Sequence, residues 1–253
     1  MADLKVEERG PVLVLTMDRP ETRNAMSLAM AEEVAAAVTM LDDRPDLAVG
    51  VITGANGTFC AGMDLRQFAA GERPFVEGRG FAGLVEQPPR KPLVAAVEGY
   101  ALAGGFEIVL ACDLVVASRE ATFGLPEVKR GLTAAGGGLL RLQQRVPYHL
   151  AMELVLTGRM FPATEAADVR LVNRVAEPGT ALDVAVALAL EIAANAPMAL
   201  AASKQVLRRS VDWPLEEEFD CQEAWLGPVR RSADAKEGAL AFVERRAPQW
   251  TGS

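Results

Sequence analysis

Apolar and polar positions in the first part of the chain predict the order strand, strand, helix, strand. The four predicted elements are a strand from Leu4 to Glu8, a strand from Val12 to Met17, a helix from Ser27 to about Asp42, and a strand from Leu47 to Thr53. The first two strands flank Gly10-Pro11, which indicates a hairpin. Ser27 is a favourable N-cap, and Val34, Val38 and Leu41 then share one face of the helix.

Strand patterns end with Leu171 to Val175, and helical patterns occupy the remainder of the chain. The alanine-rich helices predicted there are Thr180 to Ala194, Pro197 to Arg209, Pro214 to Leu226 and Ser232 to Arg246. We place a boundary near Ala196-Pro197, between a core of residues 1–196 and a C-terminal helical region of residues 197–253. The helical region has little apolar variety, so we expect it to pack on another surface.

The stretch from Leu93 to Glu127 combines an apolar strand, a turn of small residues and a helix. The turn is Gly99 to Gly105, and the first backbone N–H groups of the following helix have no partner within the helix. Such free donors can hold a negative oxygen. Glu107 lies in the first helical turn, and Glu127 follows twenty residues later after a Gly-x-Pro turn. If the chain returns between them, both carboxylates meet the anion site in one pocket, which suits acid/base chemistry beside a carbonyl.

Each of these features also has a structural interpretation when it is taken alone. A Gly-Gly pair at a helix start most often serves close packing, and a glutamate in an apolar helix is usually a satisfied structural carboxylate. The run from Leu93 to Ala117 is long enough to cross a bilayer, but Glu98, Glu107 and Asp113 make that costly. The Gly-x-Gly-x-x-Gly spacing of dinucleotide-binding proteins is absent.

Size and composition fit a soluble globular protein with one large domain, or one domain with an appendage. The chain has 253 residues, of which 50% are hydrophobic and 24% are charged. Its first residues, Met1 to Lys5, show no secretory signal, so a cytoplasmic location is expected. The formal net charge of −8 argues against general nucleic-acid binding, which needs a basic face.

The cysteines and the histidine suggest no metal or disulfide chemistry. Cys60, Cys112 and Cys221 are too few and too unevenly spaced for a disulfide framework, and with His149 they give no zinc spacing. A Ser-His-Asp or Cys-His mechanism would have to use His149, which is better explained as a structural or surface residue.

Several ordered motifs together resemble the crotonase superfamily, specifically the enoyl-CoA hydratases. The motifs are Phe59 to Leu65, Gly99 to Asp113, and Phe123 to Glu127, with further similarity from Arg19-Pro20 and Arg23-Asn24-Ala25 to Lys236-Glu237-Gly238 and Phe242-Val243-Glu244. The resemblance covers nearly the whole chain. It implies an α/β fold in which repeated β-β-α turns form a spiral core, followed by a helical C-terminal region. It also implies a homotrimer or a homohexamer built from two trimers.

The resemblance assigns roles to individual residues. Glu107 and Glu127 match the two catalytic glutamates, and the backbone N–H groups of Met63 and Gly104 match the oxyanion hole that holds the thioester oxygen. The positions that match the binding site for the acyl-CoA are Arg23, Ala25, Ala61, Gly62, Asp64, Leu65, Arg66, Tyr100, Leu102, Gly105, Phe242 and Arg245. Phe242 and Arg245 are in some relatives supplied across a subunit boundary. No metal or redox cofactor is expected, because coenzyme A is part of the substrate.

The expected reaction is hydration of a 2-enoyl-CoA to a 3-hydroxyacyl-CoA, with Glu107 as the base for water and Glu127 as the acid for the α-carbon. A dehydratase of a specialised acyl-CoA, such as carnitinyl-CoA, would use the same residues. A double-bond isomerase would need only one glutamate. A few relatives bind RNA or serve as non-catalytic partners, which the acidic charge and the intact glutamate pair disfavour.

Two segments bear on the acyl pocket. Ala69 to Arg79 is rich in glycine and charge, which is typical of a mobile segment over a pocket, and Phe81 to Val85 offers apolar wall. Ala134-Ala135 stands where relatives commonly have Pro-Gly, a departure expected to reshape the wall near the thioester. Lys129 and Arg130 are interpreted as surface charges.

Overall fold

The computed structural model describes residues 2–253 as a mixed α/β protein. Its strands are β1 (Leu4–Arg9), β2 (Val12–Met17), β3 (Val49–Gly54), β4 (Phe75–Val76), β5 (Gly80–Phe81), β6 (Leu93–Val97), β7 (Tyr100–Leu102), β8 (Leu114–Ser118), β9 (Thr122–Gly124), β10 (Met160–Pro162) and β11 (Arg174–Ala176). Its α-helices are α1 (Leu28–Asp43), α2 (Leu65–Ala69), α3 (Gly104–Ala111), α4 (Gly138–Arg145), α5 (Tyr148–Thr157), α6 (Ala163–Asp168), α7 (Ala181–Ala193), α8 (Pro197–Arg209), α9 (Glu218–Arg231) and α10 (Ala233–Glu244). Short 3₁₀ helices cover Pro20–Thr22, Pro126–Arg130 and Ser210–Asp212.

The main sheet contains six strands in the order β1-β2-β3-β6-β8-β11. The β1–β2 hairpin is antiparallel, as predicted, and the other neighbours are parallel. Ser27 caps α1, since its hydroxyl accepts the N–H of Met30 at 3.1 Å. Every residue of β6 is buried, which fits a parallel strand covered on both faces.

A smaller sheet contains three strands in the order β10-β9-β7. The chain passes from the main sheet to the small sheet and into a helix, as in β6-β7-α3, which gives the repeated β-β-α turn. The segments of β7 and β10 were not predicted as strands, and β7 was expected to be part of a turn. Their pairing is non-local, since Tyr100 aligns with Thr122 and Met160 with Gly124.

Strand alternation divides the interior into two packed layers. In β2, Leu13 and Leu15 enter the larger layer with α1 and α3, whereas Val12 and Val14 face the opposite side, where α7 covers the sheet. Alternate apolar residues of β2 therefore pack on opposite faces of the main sheet. The larger layer also supports the loops at the carboxyl ends of the parallel strands.

The helices α8, α9 and α10 follow α7 and pack in succession, α9 on α8 and α10 on α9. A buried amine ties α8 to the core, because Nζ of Lys204 lies 2.6 Å from Oδ2 of Asp113 and 2.8 Å from the carbonyl oxygen of Lys91. The prediction of a helix over Pro214 to Leu226 was wrong at both ends. The N–H of Glu217 closes a turn onto Pro214, and α9 continues through Pro228 to Arg231.

Among residues 2–253, no single helix is long and apolar enough to cross a membrane. The helix α7 and the segment Pro197–Asp212 meet the length and composition criteria only as a pair, with a bend of 107° between them.

Candidate active site

The backbone N–H groups of Met63 and Gly104 are not used in the backbone hydrogen bonds formed by their neighbours. The N–H of Met26 donates to Gly62 and the N–H of Asp64 donates to Met26, at 2.8 and 3.0 Å, in a short parallel bridge. In such a bridge the residue between the two bonded neighbours directs its own N–H to the other side. Gly104 is the first residue of α3, so its N–H has no acceptor within the helix.

The two donors are brought together by a close approach at Gly62. Its φ is +106°, and a Cβ added there would lie 2.9 Å from Cβ of Ala103 and 3.3 Å from the nitrogen of Gly104. Glycine is therefore required at position 62, for its conformation and for its size. Ala103 has φ 50° and ψ −125°, an uncommon conformation for a residue with a side chain. Its N–H donates to Gly124 in β9 at 2.9 Å, which holds the start of α3 in place.

Glu107 lies in the first turn of α3 and is buried, with 3% of its surface exposed. Its Oε1 accepts the N–H groups of Gly136 and Gly138 at 2.7 and 2.9 Å. A Cβ at Gly136 would lie 2.7 Å from Oε2 of Glu107, so the turn can wrap the carboxylate only as glycine. Burial raises the pKa of Glu107, and the two N–H groups oppose that rise by stabilising the charged form.

Glu127 lies in the 3₁₀ helix that starts at Pro126, directly after β9. Among residues 2–253 its buried Oε2 has no hydrogen-bond partner. Burial, and then the charge of Glu107, raises the pKa of Glu127 to about 7, although the Arg130 guanidinium acts in the opposite direction. A carboxyl with a pKa near neutrality and a free oxygen can exchange a proton with a bound molecule.

A cavity of about 360 Å³ joins these groups. Of the residues predicted from the sequence, those in its lining are Ala61, Met63, Leu65, Leu102, Gly104, Glu107 and Glu127. The apolar wall comes mainly from Phe68, Phe75, Phe81 and Leu132. The ring of Phe81 packs so closely on Gly104 that a Cβ there would lie 2.3 Å from it. The segment Ala69 to Arg79 does border the pocket, through Arg73 and Phe75.

The other predicted residues support the donor segment or lie farther away. The carbonyl of Arg23 accepts the N–H of Ala61 at 3.1 Å, and its guanidinium lies over the ring of Tyr100 at 6.0 Å. Asp64 caps α2 by accepting the N–H of Arg66 at 3.0 Å. Of the remaining predicted positions, Ala25 and Gly105 are buried, whereas the side chains of Arg66, Phe242 and Arg245 are exposed.

Gly105 packs against the backbone of Cys60. A side chain does not fit at position 105, because a Cβ there would lie 2.1 Å from the carbonyl oxygen of Cys60. Phe242 is 85% exposed on α10, and Arg245 ends that helix in a left-handed conformation. Within this single chain these two residues stand outside the cavity lining given above. Their assignment to the acyl-CoA site stays a prediction.

Several residues of the site were not identified from the sequence. Gly136 and Gly138 belong to the glycine-rich segment at the start of α4. This run of glycines was the feature of the sequence that could have indicated a close backbone contact there. Arg73 and Arg130 line the cavity, although Arg130 was interpreted only as a surface charge. It is exposed, but its place three residues after Glu127 on a 3₁₀ helix puts both side chains on one side. Ala135, where relatives commonly have glycine, is also part of the wall.

Arg141 in α4 supports the turn that holds Glu107. Its guanidinium donates to the carbonyl oxygen of Val85 and, at 3.5 Å, to that of Gly136. Burial lowers the pKa of Arg141, while the charge of Glu107 opposes this change. Arg141 thus links α4 to the Gly136 turn on one side and to the segment after β5 on the other.

Comparison with known proteins places this geometry in a family. The family model described as enoyl-CoA hydratase/isomerase matches residues 7–253. A carnitinyl-CoA dehydratase of Proteus mirabilis is 40% identical over 257 residues, which cover 98% of each chain. The enoyl-CoA hydratase EchA19 of Mycobacterium tuberculosis is 42% identical over 257 residues, 98% of this chain and 96% of that one. A crystal structure of an enoyl-CoA hydratase from Mycobacterium tuberculosis superposes over the full length of both chains with a TM-score of 0.98 and 54% identity.

Proposed function

This chain belongs to the enoyl-CoA hydratase/isomerase family, and we propose that it adds water across the 2,3 double bond of a 2-enoyl-CoA. It is a lyase with the crotonase fold, and its substrate is an acyl-CoA thioester. The product is the corresponding 3-hydroxyacyl-CoA. The observation that carries the reaction is the unpartnered, buried Oε2 of Glu127, which shares a cavity with the backbone-held Glu107.

The N–H groups of Met63 and Gly104 form the oxyanion hole in this mechanism. They donate to the thioester oxygen and stabilise the negative charge that develops there as water adds. A donor of this kind typically contributes about 10²-fold or more to the rate. The conformation of Ala103 and the glycine at position 62 hold both donors before the substrate binds, so little reorganisation is needed.

Glu107 and Glu127 position the attacking water between them. Glu107 takes a proton from water as the oxygen bonds to C3, and the electron pair of the double bond moves toward the thioester oxygen as an enolate. Glu127 then donates its proton to C2, which restores the thioester. The pKa of about 7 keeps much of Glu127 protonated near neutral pH, and the two N–H groups on Glu107 favour its charged form. The roles exchange in dehydration.

Arg23 and Arg66 are proposed to meet the phosphates of coenzyme A. Both are exposed and flank the Ala61 to Asp64 segment that carries one oxyanion donor. Guanidinium groups suit phosphate because their planar donors bond two oxygens at once. The chain's own carboxylates and backbone donors supply each step described above, so no further cofactor enters the proposal.

We also propose a homotrimer, or a homohexamer built from two trimers, for the assembly. In the C-terminal helical region, large apolar side chains face outward, with Leu207, Leu215, Phe219 and Phe242 each at least 75% exposed. Exposed apolar groups of this kind mark interaction surfaces. Light scattering coupled to size exclusion would test the stoichiometry directly.

A dehydratase of carnitinyl-CoA is the second candidate, because a relative with that name is 40% identical over almost the whole chain. It would use the same two glutamates in the reverse direction. The acyl end of the pocket, and not the catalytic pair, would distinguish the two activities.

The test follows the loss of enoyl-thioester absorbance over 2-enoyl-CoAs of four to sixteen carbons, with addition of water checked by mass. Wild-type protein should hydrate at least one of them. E107Q and E127Q should each lose about 10²-fold or more in kcat, whereas E120Q, an exposed glutamate beyond β8, serves as the control. Wild-type turnover by E127Q would refute the proposed mechanism, and product analysis would separate hydration from isomerisation.

A further inference from the structure

Two guanidinium groups on the cavity wall lack a carboxylate partner. Arg73 lies between α2 and β4, and its Cζ is 5.8 Å from the ring centroid of Phe68. The guanidinium of Arg130 has a weak contact with the carbonyl oxygen of Pro126, at 3.5 Å. Over the described range 2–253, neither arginine forms an ion pair, whereas nine other arginines do. Free cationic groups beside an apolar cavity are the donors that a ligand's anionic group would need.

The position of Arg130 relative to Glu127 specifies where such an anion would lie. The two residues are one 3₁₀ turn apart, so their side chains leave the helix on the same side. The positive charge of Arg130 lowers the pKa of Glu127, which places the guanidinium within electrostatic range of the catalytic acid. Within residues 2–253, Arg130 and Glu127 form no ion pair with each other, so the guanidinium is available to a ligand.

The cavity itself indicates a short acyl group. Its volume of about 360 Å³ is at the lower end of the range for small-molecule sites. Phe68, Phe75 and Phe81 can enclose the methylene groups, and the two arginines border the same space. A chain that crosses this apolar section would present its terminal atoms to guanidinium groups. A terminal methyl group would form no hydrogen bond or charge pair with those guanidinium groups.

We propose that Arg73 and Arg130 together bind a carboxylate at the distal end of the acyl chain, so that the preferred substrate class is a short 2-enoyl-CoA with a terminal carboxylate. This inference rests on the proposed function for the placement of the thioester. The coenzyme A phosphates are the other possible source of an anion. Arg23 and Arg66 flank the donor segment outside the cavity and are assigned to those phosphates, which leaves the cavity arginines to the acyl group.

The same two charges oppose a cationic acyl group. A carnitinyl chain ends in a quaternary ammonium, which would be placed beside one or both guanidiniums and would be repelled by them. The chain therefore differs in expected specificity from the relative named carnitinyl-CoA dehydratase, although the catalytic glutamates can serve both substrates.

Calorimetric binding of two saturated six-carbon thioesters tests the proposal without requiring turnover. Adipyl-CoA ends in a carboxylate and hexanoyl-CoA ends in a methyl group, and they share coenzyme A. Wild-type protein should bind adipyl-CoA roughly 5- to 10-fold more tightly, the increment expected for two solvent-exposed charge pairs. In the double variant R73Q/R130Q the ratio of the two dissociation constants should fall to about one.

Lys129→Gln provides a control with the same loss of charge as one arginine substitution. Lys129 precedes Arg130, but its side chain packs over Gly158 and away from the cavity. This variant should keep the wild-type preference for adipyl-CoA. Equal weakening of both thioesters in R73Q/R130Q would assign the arginines to the coenzyme A phosphates and overturn the proposal. A wild-type preference for hexanoyl-CoA would also overturn it.

Turnover separates this inference from the proposed reaction. Hydration of 2,3-didehydroadipyl-CoA is compared with that of 2-hexenoyl-CoA, and kcat/KM should favour the dicarboxylic substrate in wild type. Efficient hydration of 2-hexenoyl-CoA without any preference would refute the anion site and leave the hydratase intact. A binding preference for adipyl-CoA without hydration of either substrate would refute the reaction and leave the anion site intact.

Discussion

The N–H of Gly136 donates to Oε1 of Glu107 at 2.7 Å, across a separation of 29 residues. Together with the N–H of Gly138, it commits one carboxylate oxygen to the backbone and leaves Oε2 for the cavity. The turn therefore fixes the orientation of the proposed base. It also places Gly136 so near Glu107 that no side chain fits between them.

We expect Gly136→Ala to lower kcat by about 10- to 100-fold, because its Cβ would displace the Glu107 carboxylate and small displacements of catalytic groups have effects of that size. Steady-state kinetics on the best substrate measures the change. Gly179→Ala is the control, since its added Cβ meets no atom within 4 Å, although its φ of +81° strains the backbone. An unchanged kcat in Gly136→Ala would show that the position of Glu107 is not critical.

The pKa of Glu127 predicts how hydration depends on pH. Addition of the proton to C2 needs the protonated carboxyl, so kcat/KM for hydration should fall as the pH rises through about 7. Dehydration of the 3-hydroxyacyl-CoA uses the same singly protonated pair, with the proton on Glu107 instead of Glu127. The reaction takes up no net proton, so the ratio of kcat/KM in the two directions is independent of pH, and kcat/KM for dehydration should fall over the same interval. Rates in both directions between pH 5.5 and 9 would show this parallel fall, and a kcat/KM for hydration that stays constant or rises through pH 7 would argue against Glu127 as the proton donor.

The same group makes stability depend on pH. Glu127 has a folded-state pKa of about 7, above its ordinary value of 4.5. Between these values the folded protein retains a proton that the unfolded chain releases, so stability should decrease as the pH rises across that window. Glu127→Gln removes this titrating group. Its free energy of unfolding, taken relative to that of the wild type, should therefore increase by an amount of the order of 1 to 3 kcal/mol from pH 5 to pH 8. Urea titrations at both pH values measure it, and an equal difference at both would contradict the shift.

Arg141 is expected to act as a positioning residue for Glu107. Arg141→Met removes the donors to Val85 and Gly136, so the Gly136 turn should loosen and kcat should fall by about tenfold with a smaller change in KM. Arg141→Lys should recover part of the loss, since it restores one donor and the charge. Arg145→Met, one turn along α4 and exposed, is the matched control. A loss of stability with wild-type kcat would make Arg141 merely structural.

Lys204 should be essential for the attachment of α8 to the core. Its side chain is 7% exposed and its Nζ bonds both Asp113 and the carbonyl oxygen of Lys91. Lys204→Met leaves Asp113 with the N–H of Leu93 alone, and should cost about 1 to 3 kcal/mol in the free energy of unfolding. Lys236→Met, at an exposed site on α10, should cost much less. Equal urea midpoints for the two variants would contradict this role.

Local signals explain which parts of the fold were predictable. The Gly10-Pro11 hairpin and the Ser27 cap of α1 depend on residues close in sequence, and the structure confirms both. The spacing of Glu107 and Glu127 also lies within one stretch of chain. The resemblance of the motifs around them extended these observations to the family and the reaction, which the comparisons confirm.

Non-local contacts decided the rest. The small sheet forms because β7, β9 and β10 meet from separate parts of the chain, and no short segment contains that pairing. The sequence determined that two glutamates and a set of glycines exist at suitable positions. Only the tertiary structure determined that Gly136 and Gly138 bind Glu107 and that Arg73 and Arg130 border the same cavity. These contacts depend on how distant segments pack, and periodicity along the chain carries no information about that.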